Sequence, residues 1–415
     1  MLTDVSPHEA RALCAEGDPA ELLNRLDRSG TDVAVVRRLL GSREQSPSPA
    51  AGTRKVPLTD ASGRTTEMAV YTPSGTDSRQ MGALILLHGV GGNGPNLLPR
   101  FKDFARLLNV SILCPTAQPV LSRSNRLDLA GLFGNRFDSP SWDLSGPDFS
   151  TAALYWARTM LNAHPDRCMI AGTSMGAMAT WNLAMRSWGS FCAAVPINGA
   201  LSMWEAFGTD RRKRALLVNL LPLPLFVVHG AEDSQILPRF DRESVAQLRA
   251  AGHEDVHYAE VPGGQHALQS LNLLEGDSPL FREVVGWMAG QRRIGGAVTV
   301  NHRTLDDRHG RALWVGVRGT KSEAVAEVRA ERLSKDAISV RVTGAREVRL
   351  HLRSDLFAPG RVDVNVNGVQ HAVEFRPELS RLLESYRETG DPELLDEHVV
   401  VLPVPKQNEE PEGTR

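Results

Sequence analysis

Gly172-Thr173-Ser174-Met175-Gly176 places a serine between two glycines, in a GxSxG pattern. Apolar Cys168-Met169-Ile170-Ala171 runs into it, and Ala177-Met178-Ala179-Thr180-Trp181-Asn182-Leu183 runs out of it. That context predicts a strand, a tight turn and a helix. Such a turn lifts the serine Oγ out of a sheet, and flanking glycines relieve crowding at a strained position. The chemistry this serves is nucleophilic attack on a carbonyl. The backbone N–H of Met175, at the helix start, is then placed to meet a developing oxyanion. A second glycine-rich stretch, His88-Gly89-Val90-Gly91-Gly92-Asn93-Gly94, follows the apolar run Ala83–Leu87. Glycine permits close backbone approach there, which makes the N–H of Val90 the candidate second donor. A phosphate-cradling loop is the other reading of these glycines, and the missing GKS or GKT tail argues against it. His88 reads as a positioning residue rather than a base.

A nucleophile of this kind needs a base and a group that orients the base, later in the chain in the order Ser, Asp or Glu, His. The run Leu225-Phe226-Val227-Val228 ends in His229-Gly230-Ala231-Glu232-Asp233. The run Val256–Val261 ends in Pro262-Gly263-Gly264-Gln265-His266. Asp233 and His266 therefore sit on loops just past the carboxyl ends of two strands, the edge where open α/β sheets bind ligands. His266 is the candidate base and Asp233 its orienter. Glu232 is the rival acid, and His253 or His257 the rival base. The bland alternatives are an aspartate that caps the next helix and a surface histidine.

The elements that must position these residues are legible from pattern. Residues 55 to 293 alternate strands and helices, the signature of a doubly wound, mainly parallel α/β sheet. Ala83–His88, Val110–Cys114, Arg167–Ala171, Ala193–Ile197, Leu225–His229 and Val256–Val261 are its strands, with Thr66–Thr72 before them. Helices are expected over Asn96–Leu108, Phe149–Leu161, Met175–Met185, Arg242–Ala251 and Leu280–Met288. Residues 1 to 54 read as short helices, two opened by Ser6-Pro7 and Asp18-Pro19, then a polar linker, Gly41–Arg54. From 294 to 405, short β segments recur. Asn367-Gly368 is a hairpin signal between Val362–Val366 and Val369–Phe375. This predicts a β-sandwich domain, with a short helix near Leu379–Tyr386 and a polar tail from 406 to 415.

Composition excludes several function classes. The chain has 415 residues with 47 Lys+Arg against 49 Asp+Glu, a net charge of -2, so there is no basic footprint for nucleic acid. The longest apolar run, Ala215–Val228, is broken by Asn219, Pro222 and Pro224, which leaves no membrane span. Met1–Gly17 carries Asp4, His8, Glu9, Arg11 and Glu16 rather than an apolar signal core, so the expectation is a cytoplasmic protein. Cys14, Cys114, Cys168 and Cys192 show no CxxC and no metal-ligand spacing, so neither a disulfide scaffold nor a metal site is expected.

HGVGGNG, GTSMGA, HGAEDSQILP and PGGQH, in this order and spacing, resemble the α/β-hydrolase superfamily of serine hydrolases. Within it the chain is similar to the group of dienelactone-hydrolase-like, feruloyl-esterase-like and polyhydroxybutyrate-depolymerase-like enzymes, with carboxylesterases and predicted peptidases. HPDRCMIAGTSMG, from His164, and Ala194–Gly199 carry that likeness. It spans about residues 55 to 293. It implies an α/β-hydrolase sheet, with Ser174 as nucleophile, Asp233 as acid, His266 as base, and Val90 and Met175 at the oxyanion positions. Dienelactone hydrolases use a cysteine nucleophile; Ser174 here favours ordinary ester hydrolysis.

The implied reaction is carboxylic ester hydrolysis through an acyl-enzyme, on a small-molecule or polymer-linked ester, with no cofactor and no metal. A peptidase with the same triad is the alternative. Against it, prolyl-oligopeptidase-like enzymes place a long propeller before the hydrolase, whereas about 55 residues precede the core here. A binding protein on a hydrolase fold is a third reading, though no triad member is missing. The long stretch Pro115–Asp148, with Phe133, Phe137, Trp142 and Asp143, and the segment Asn198–Phe207, with Trp204 and Glu205, are expected to border the site. Trp142 and Trp204 are the candidate substrate-binding residues; packing within a lid is the other reading. The β domain has few aromatics (Trp314, Phe357, Phe375), so packing or oligomerisation suits it better than glycan binding.

Overall fold

The computed structural model describes residues 7–28, 30–43, 48–119, 140–142, 148–201, 211–320 and 324–405. Its described residues form two compact units. One takes the residues up to Gly295 together with Leu383–Glu393; the other takes Gly296–Leu382 and the residues from Leu394. The boundary falls inside the helix Leu379–Thr389.

The first unit is built on an eight-stranded sheet. In chain order its strands are β1 (Gly52–Thr59), β2 (Thr65–Thr72), β3 (Gly82–Leu87), β4 (Val110–Pro115), then, after a two-residue pair β5 (Gln118–Pro119) and β6 (Pro140–Ser141), β7 (Cys168–Thr173), β8 (Ala193–Ile197), β9 (Leu225–Gly230) and β10 (Val256–Val261). The spatial order is β1-β2-β4-β3-β7-β8-β9-β10. β1 and β2 are antiparallel to their neighbours, and the strands from β4 to β10 run parallel. β3, β4, β8 and β9 are buried along their whole length, as strands covered on both faces must be. Phe104 and Phe281 pack edge to face on this sheet at 4.9 Å, in a core with Leu84, Ile112, Met169 and Phe226.

Three helices, Pro7–Glu16, Pro19–Arg28 and Val33–Gly41, precede the sheet. They belong to the same unit. Buried Arg11 donates to the Leu40 carbonyl at 2.9 Å, and Arg43 reaches the carbonyls of Arg79, at 2.8 Å, and Asn162. The sequence reading of Gly41–Arg54 as linker misses the start of β1. That strand is mostly exposed and carries Pro57, features tolerated only at a sheet edge. The helix expected over Asn96–Leu108 is broken into Gly94–Leu97, a 3₁₀ turn Leu98–Phe101 and Lys102–Leu108. Pro99 sits at the break, where it cannot donate to a continuous helix.

The second unit is a β-sandwich of two sheets. One orders β11 (Thr299–Thr304), β14 (Ala326–Arg332), β15 (Ala337–Thr343), β17 (Gly360–Val366) and β18 (Val369–Phe375). The other orders β12 (Arg311–Ala312), β13 (Val315–Arg318), β16 (Glu347–Leu352) and β19 (His398–Pro403). Alternation puts Val328, Ala330, Val340, Val342, Val348 and Leu350 inside, with Trp314 edge-on to Phe357 at 5.4 Å. Asn367 and Gly368, both at positive φ, turn the β17–β18 hairpin.

Candidate active site

Ser174 follows β7 directly and opens the helix Met175–Arg186. Its backbone has φ 55° and ψ -120°, a strained conformation for a residue with a side chain. The surroundings explain why both flanking positions are glycine. A Cβ on Gly172 would lie 2.3 Å from the Gly176 carbonyl oxygen, and one on Gly176 would lie 2.1 Å from that of Leu87. The Ser174 N–H donates to the Ile197 carbonyl at 3.0 Å, which fixes the turn against the end of β8.

His266 Nε2 lies 2.9 Å from Ser174 Oγ, and its Nδ1 lies 2.7 Å from Asp233 Oδ2. A carboxylate oxygen accepts, so Nδ1 carries the proton and Nε2 is left to accept the serine hydroxyl hydrogen. Asp233 is buried, and its other oxygen accepts the N–H groups of Gln235 at 2.9 Å and Ile236 at 3.0 Å. Burial opposes its charge, but His229, His266 and the Ile236 N–H hold the carboxyl well below the usual carboxylate range. Of the rivals, Glu232 is exposed. His253 is engaged with the Leu223 carbonyl at 2.9 Å, and burial pushes its pKa down. His257 stacks on Phe226 at 5.3 Å and pairs with Asp255 at 3.1 Å.

The glycine-rich loop after β3 comes to the serine. A Cβ on Gly89 would meet Ser174 Cβ at 3.1 Å and the Thr173 carbonyl oxygen at 3.3 Å. Val90 follows, with its side chain exposed; Met175 is buried at the helix start, where backbone N–H groups lack intrahelical partners. His88 holds the loop. Ala117 N–H donates to its Nε2 at 2.9 Å, so Nδ1 bears the proton and donates to the Gly89 carbonyl at 2.7 Å. Burial lowers its pKa and keeps the ring neutral near pH 7. Trp142 lies against His88. Its ring centroid is 5.1 Å from the histidine's, and its Nε1 donates to the His88 carbonyl at 3.1 Å. The indole is fully buried, packed against the loop that approaches Ser174. Trp204, Glu205, Phe207, Phe133, Phe137 and Asp143 lie outside the described residues.

Two residues with no assigned role in the sequence reading join this site, one of them, Asn198, at the start of a segment expected to border it. Asn198, just past β8 with φ 51°, accepts the Gly230 N–H at 2.8 Å and donates to the carbonyls of Gln265 at 3.0 Å and His266 at 2.9 Å. His229, the penultimate residue of β9, lies 3.4 Å from Asp233. An Asn before Gly at a strand end and a His before Gly at the next were the available signals. The partners of Asn198 lie 32 to 68 residues away in sequence, whereas those of His229 lie within 12.

No family model matches the chain, and no curated protein matches it. Solved structures do. A thermostable esterase is 19% identical, with 58% of this chain and 63% of that chain covered at a TM-score of 0.43. The match thus spans less than two thirds of that esterase. A fluorophosphonate-binding serine hydrolase of Staphylococcus aureus is 14% identical, covering 58% of this chain and all of that one (100%), TM-score 0.43. A ferulic acid esterase is 19% identical, covering 56% and 98%, TM-score 0.41. The sheet order, its antiparallel first strands and the strand–turn–helix at Ser174 define the architecture by themselves. The first unit has the α/β-hydrolase fold. In that fold ligands meet the sheet at the carboxyl ends of its strands. Ser174, Asn198, Asp233 and His266 all follow such ends, of β7, β8, β9 and β10. Among the described residues, no helix is long and apolar enough to cross a membrane.

Proposed function

We propose that the chain is a serine hydrolase that cleaves carboxylic esters of small-molecule or polymer-linked substrates through an acyl-enzyme. The supporting observation is the continuous hydrogen-bonded path from Ser174 Oγ through His266 to Asp233, at 2.9 Å and 2.7 Å. In this reading His266 Nε2 takes the hydroxyl proton as Ser174 attacks the ester carbonyl. The backbone N–H groups of Val90 and Met175 receive the oxyanion. Asp233 keeps the imidazole in the accepting tautomer and stabilises the imidazolium that forms. His266 then returns the proton to the departing alkoxide, and water, activated by the same ring, releases the acid. An alkoxide leaves from a tetrahedral intermediate more readily than an amine anion, which makes esters the first substrates to test. Trp142 supports this chemistry through the His88–Gly89 loop. The experiment is fluorophosphonate labelling followed by turnover of p-nitrophenyl esters against peptide anilides. A covalent adduct on Ser174 with ester turnover supports the reading. Faster anilide turnover moves it to a peptidase, and an unlabelled Ser174 overturns it.

A further inference from the structure

His229 takes no part in the proton transfers just described, yet it touches the acid that orients the base. It is fully buried. Its Nε2 lies 2.8 Å from the Ile236 carbonyl oxygen and 3.4 Å from Asp233 Oδ2. Its Nδ1 lies 2.8 Å from Asp241 Oδ2, and the other oxygen of Asp241 accepts from Trp181 Nε1 at 2.8 Å. A carbonyl oxygen only accepts, so Nε2 bears a proton. The Asp241 carboxylate already takes one N–H from Trp181 and takes a second from Nδ1. Both ring nitrogens are then protonated, and the ring carries a positive charge between two carboxylates.

We propose that His229 is a positioning residue for Asp233: a standing buried imidazolium that fixes the acid's loop and sets the acid limit of the activity. The proposal rests on the roles given above to Ser174, His266 and Asp233. The geometric part is short-range. Ile236 offers its N–H to Asp233 Oδ1 and its carbonyl to His229, so one residue joins the acid and the cation in a closed turn. The electrostatic part follows from charge. A cation beside Asp233 opposes a second positive charge on His266, the form that cannot accept the Ser174 proton. Burial by itself would strip the proton from His229, but Asp233 and Asp241 outweigh it and hold the ring up at about 10.

The neighbouring elements supply the rest of the electrostatic setting. The helix Arg239–Ala250 contributes Asp241 and Arg242, and the loop after β10 contributes His266. Glu260 stands opposite His229 in the β9–β10 register. It is engaged by Arg242 at 2.7 Å and by the Tyr258 hydroxyl at 2.7 Å. The helix Met175–Arg186 presents neutral Trp181, and the end of β8 presents neutral Asn198.

The test begins with the full-length wild type. Ring-nitrogen NMR of the wild type, with the His229 signals assigned by through-bond correlation from its own backbone, reads the protonation state directly. Two protonated nitrogens, unchanged between about pH 6 and about pH 8, are expected. A bare ring nitrogen in that range overturns the proposal, and this readout stands even if the variant does not fold. With folded His229→Gln, the acid limb of kcat/KM on p-nitrophenyl acetate is expected to move up by about one pH unit. A rate lowered equally at every pH, with the limb unmoved, means that His229 only packs, and overturns the proposal while the hydrolase reading stands. Absence of fluorophosphonate labelling on Ser174 overturns that reading, and the proposal with it.

Discussion

The side-chain amide of Asn198 donates to the backbone carbonyl of His266 at 2.9 Å, 68 residues away in the chain. The same amide reaches Gln265, and its oxygen takes the N–H of Gly230, three residues before Asp233. One side chain therefore ties the loop of the proposed base to the strand that carries the proposed acid. Asn198→Ala is expected to lower kcat on an ester by about 100-fold with KM little changed, because a base misplaced by about 1 Å costs that much. Steady-state kinetics checks this. A KM effect with kcat retained would place Asn198 in substrate binding instead.

Ser174→Ala is expected to lower kcat by about 10⁶-fold and to abolish the fluorophosphonate adduct, with a melting curve close to wild type. Mass spectrometry of the labelled peptide and a thermal melt measure the two halves. Only the hydroxyl is lost, and the side chain of its partner His266 is partly exposed.

His266→Ala should approach Ser174→Ala in severity, and Asp233→Asn should cost about 10⁴-fold by presenting the wrong tautomer to the serine. Residues that act as one unit do not give additive losses. The double variant Ser174→Ala, His266→Ala should accordingly be little worse than either single one. Losses that multiply would separate His266 from the serine's chemistry.

Trp142→Phe removes the Nε1 donor from the His88 carbonyl while keeping most of the aromatic volume. The expected result is a destabilisation of about 1–3 kcal/mol, since a buried carbonyl loses a partner. Because the indole is fully buried against the loop beside Ser174, rates on all esters should fall together. A changed ranking by acyl chain length would instead put Trp142 in contact with substrate.

Asp391 accepts from buried Arg293 at 3.1 Å and pairs with Arg158 at 3.2 Å, which fastens the segment Leu383–Glu393 within the first unit. Burial raises its pKa, but Arg158 and Arg293 reverse that and hold it well below the ordinary carboxylate range. A carboxyl depressed in the folded state adds stability above its unfolded value, about 3.9, and loses it as pH falls through the folded value. Denaturant melts from neutral to acid pH should therefore show wild type losing stability below about pH 4. Asp391→Asn should begin about 3–5 kcal/mol less stable near pH 7, because it leaves buried cations short of an anion. It should also lose less on acidification.

The candidate site residues can be picked out of the chain because each sits in a local pattern. A GxSxG needs its strand and helix as immediate neighbours, and Asp233 and His266 each follow a strand-like run, so pattern alone places them at one edge of a parallel sheet. The structure brings Ser174, His266 and Asp233 into hydrogen-bonding contact there. What pattern did not reveal depends on partners that only folding supplies. β1 is half polar and interrupted by Pro57, and only pairing with β2 makes it a strand. β19, beyond the last helix, becomes a strand by pairing with β16. Distance in sequence hid the partners of Asn198 and Trp142, the first reaching 68 residues along the chain and the second 54. The sequence reading has Asn198 only at the start of a segment expected to border the site, gives His229 no role, and leaves Trp142 between substrate binding and lid packing. Each side chain acquires its task from a backbone carbonyl or carboxylate brought to it by folding. Hydrophobic periodicity determines which elements form and which edge carries the chemistry; the hydrogen bonds that aim its groups exist only once separate loops are packed together.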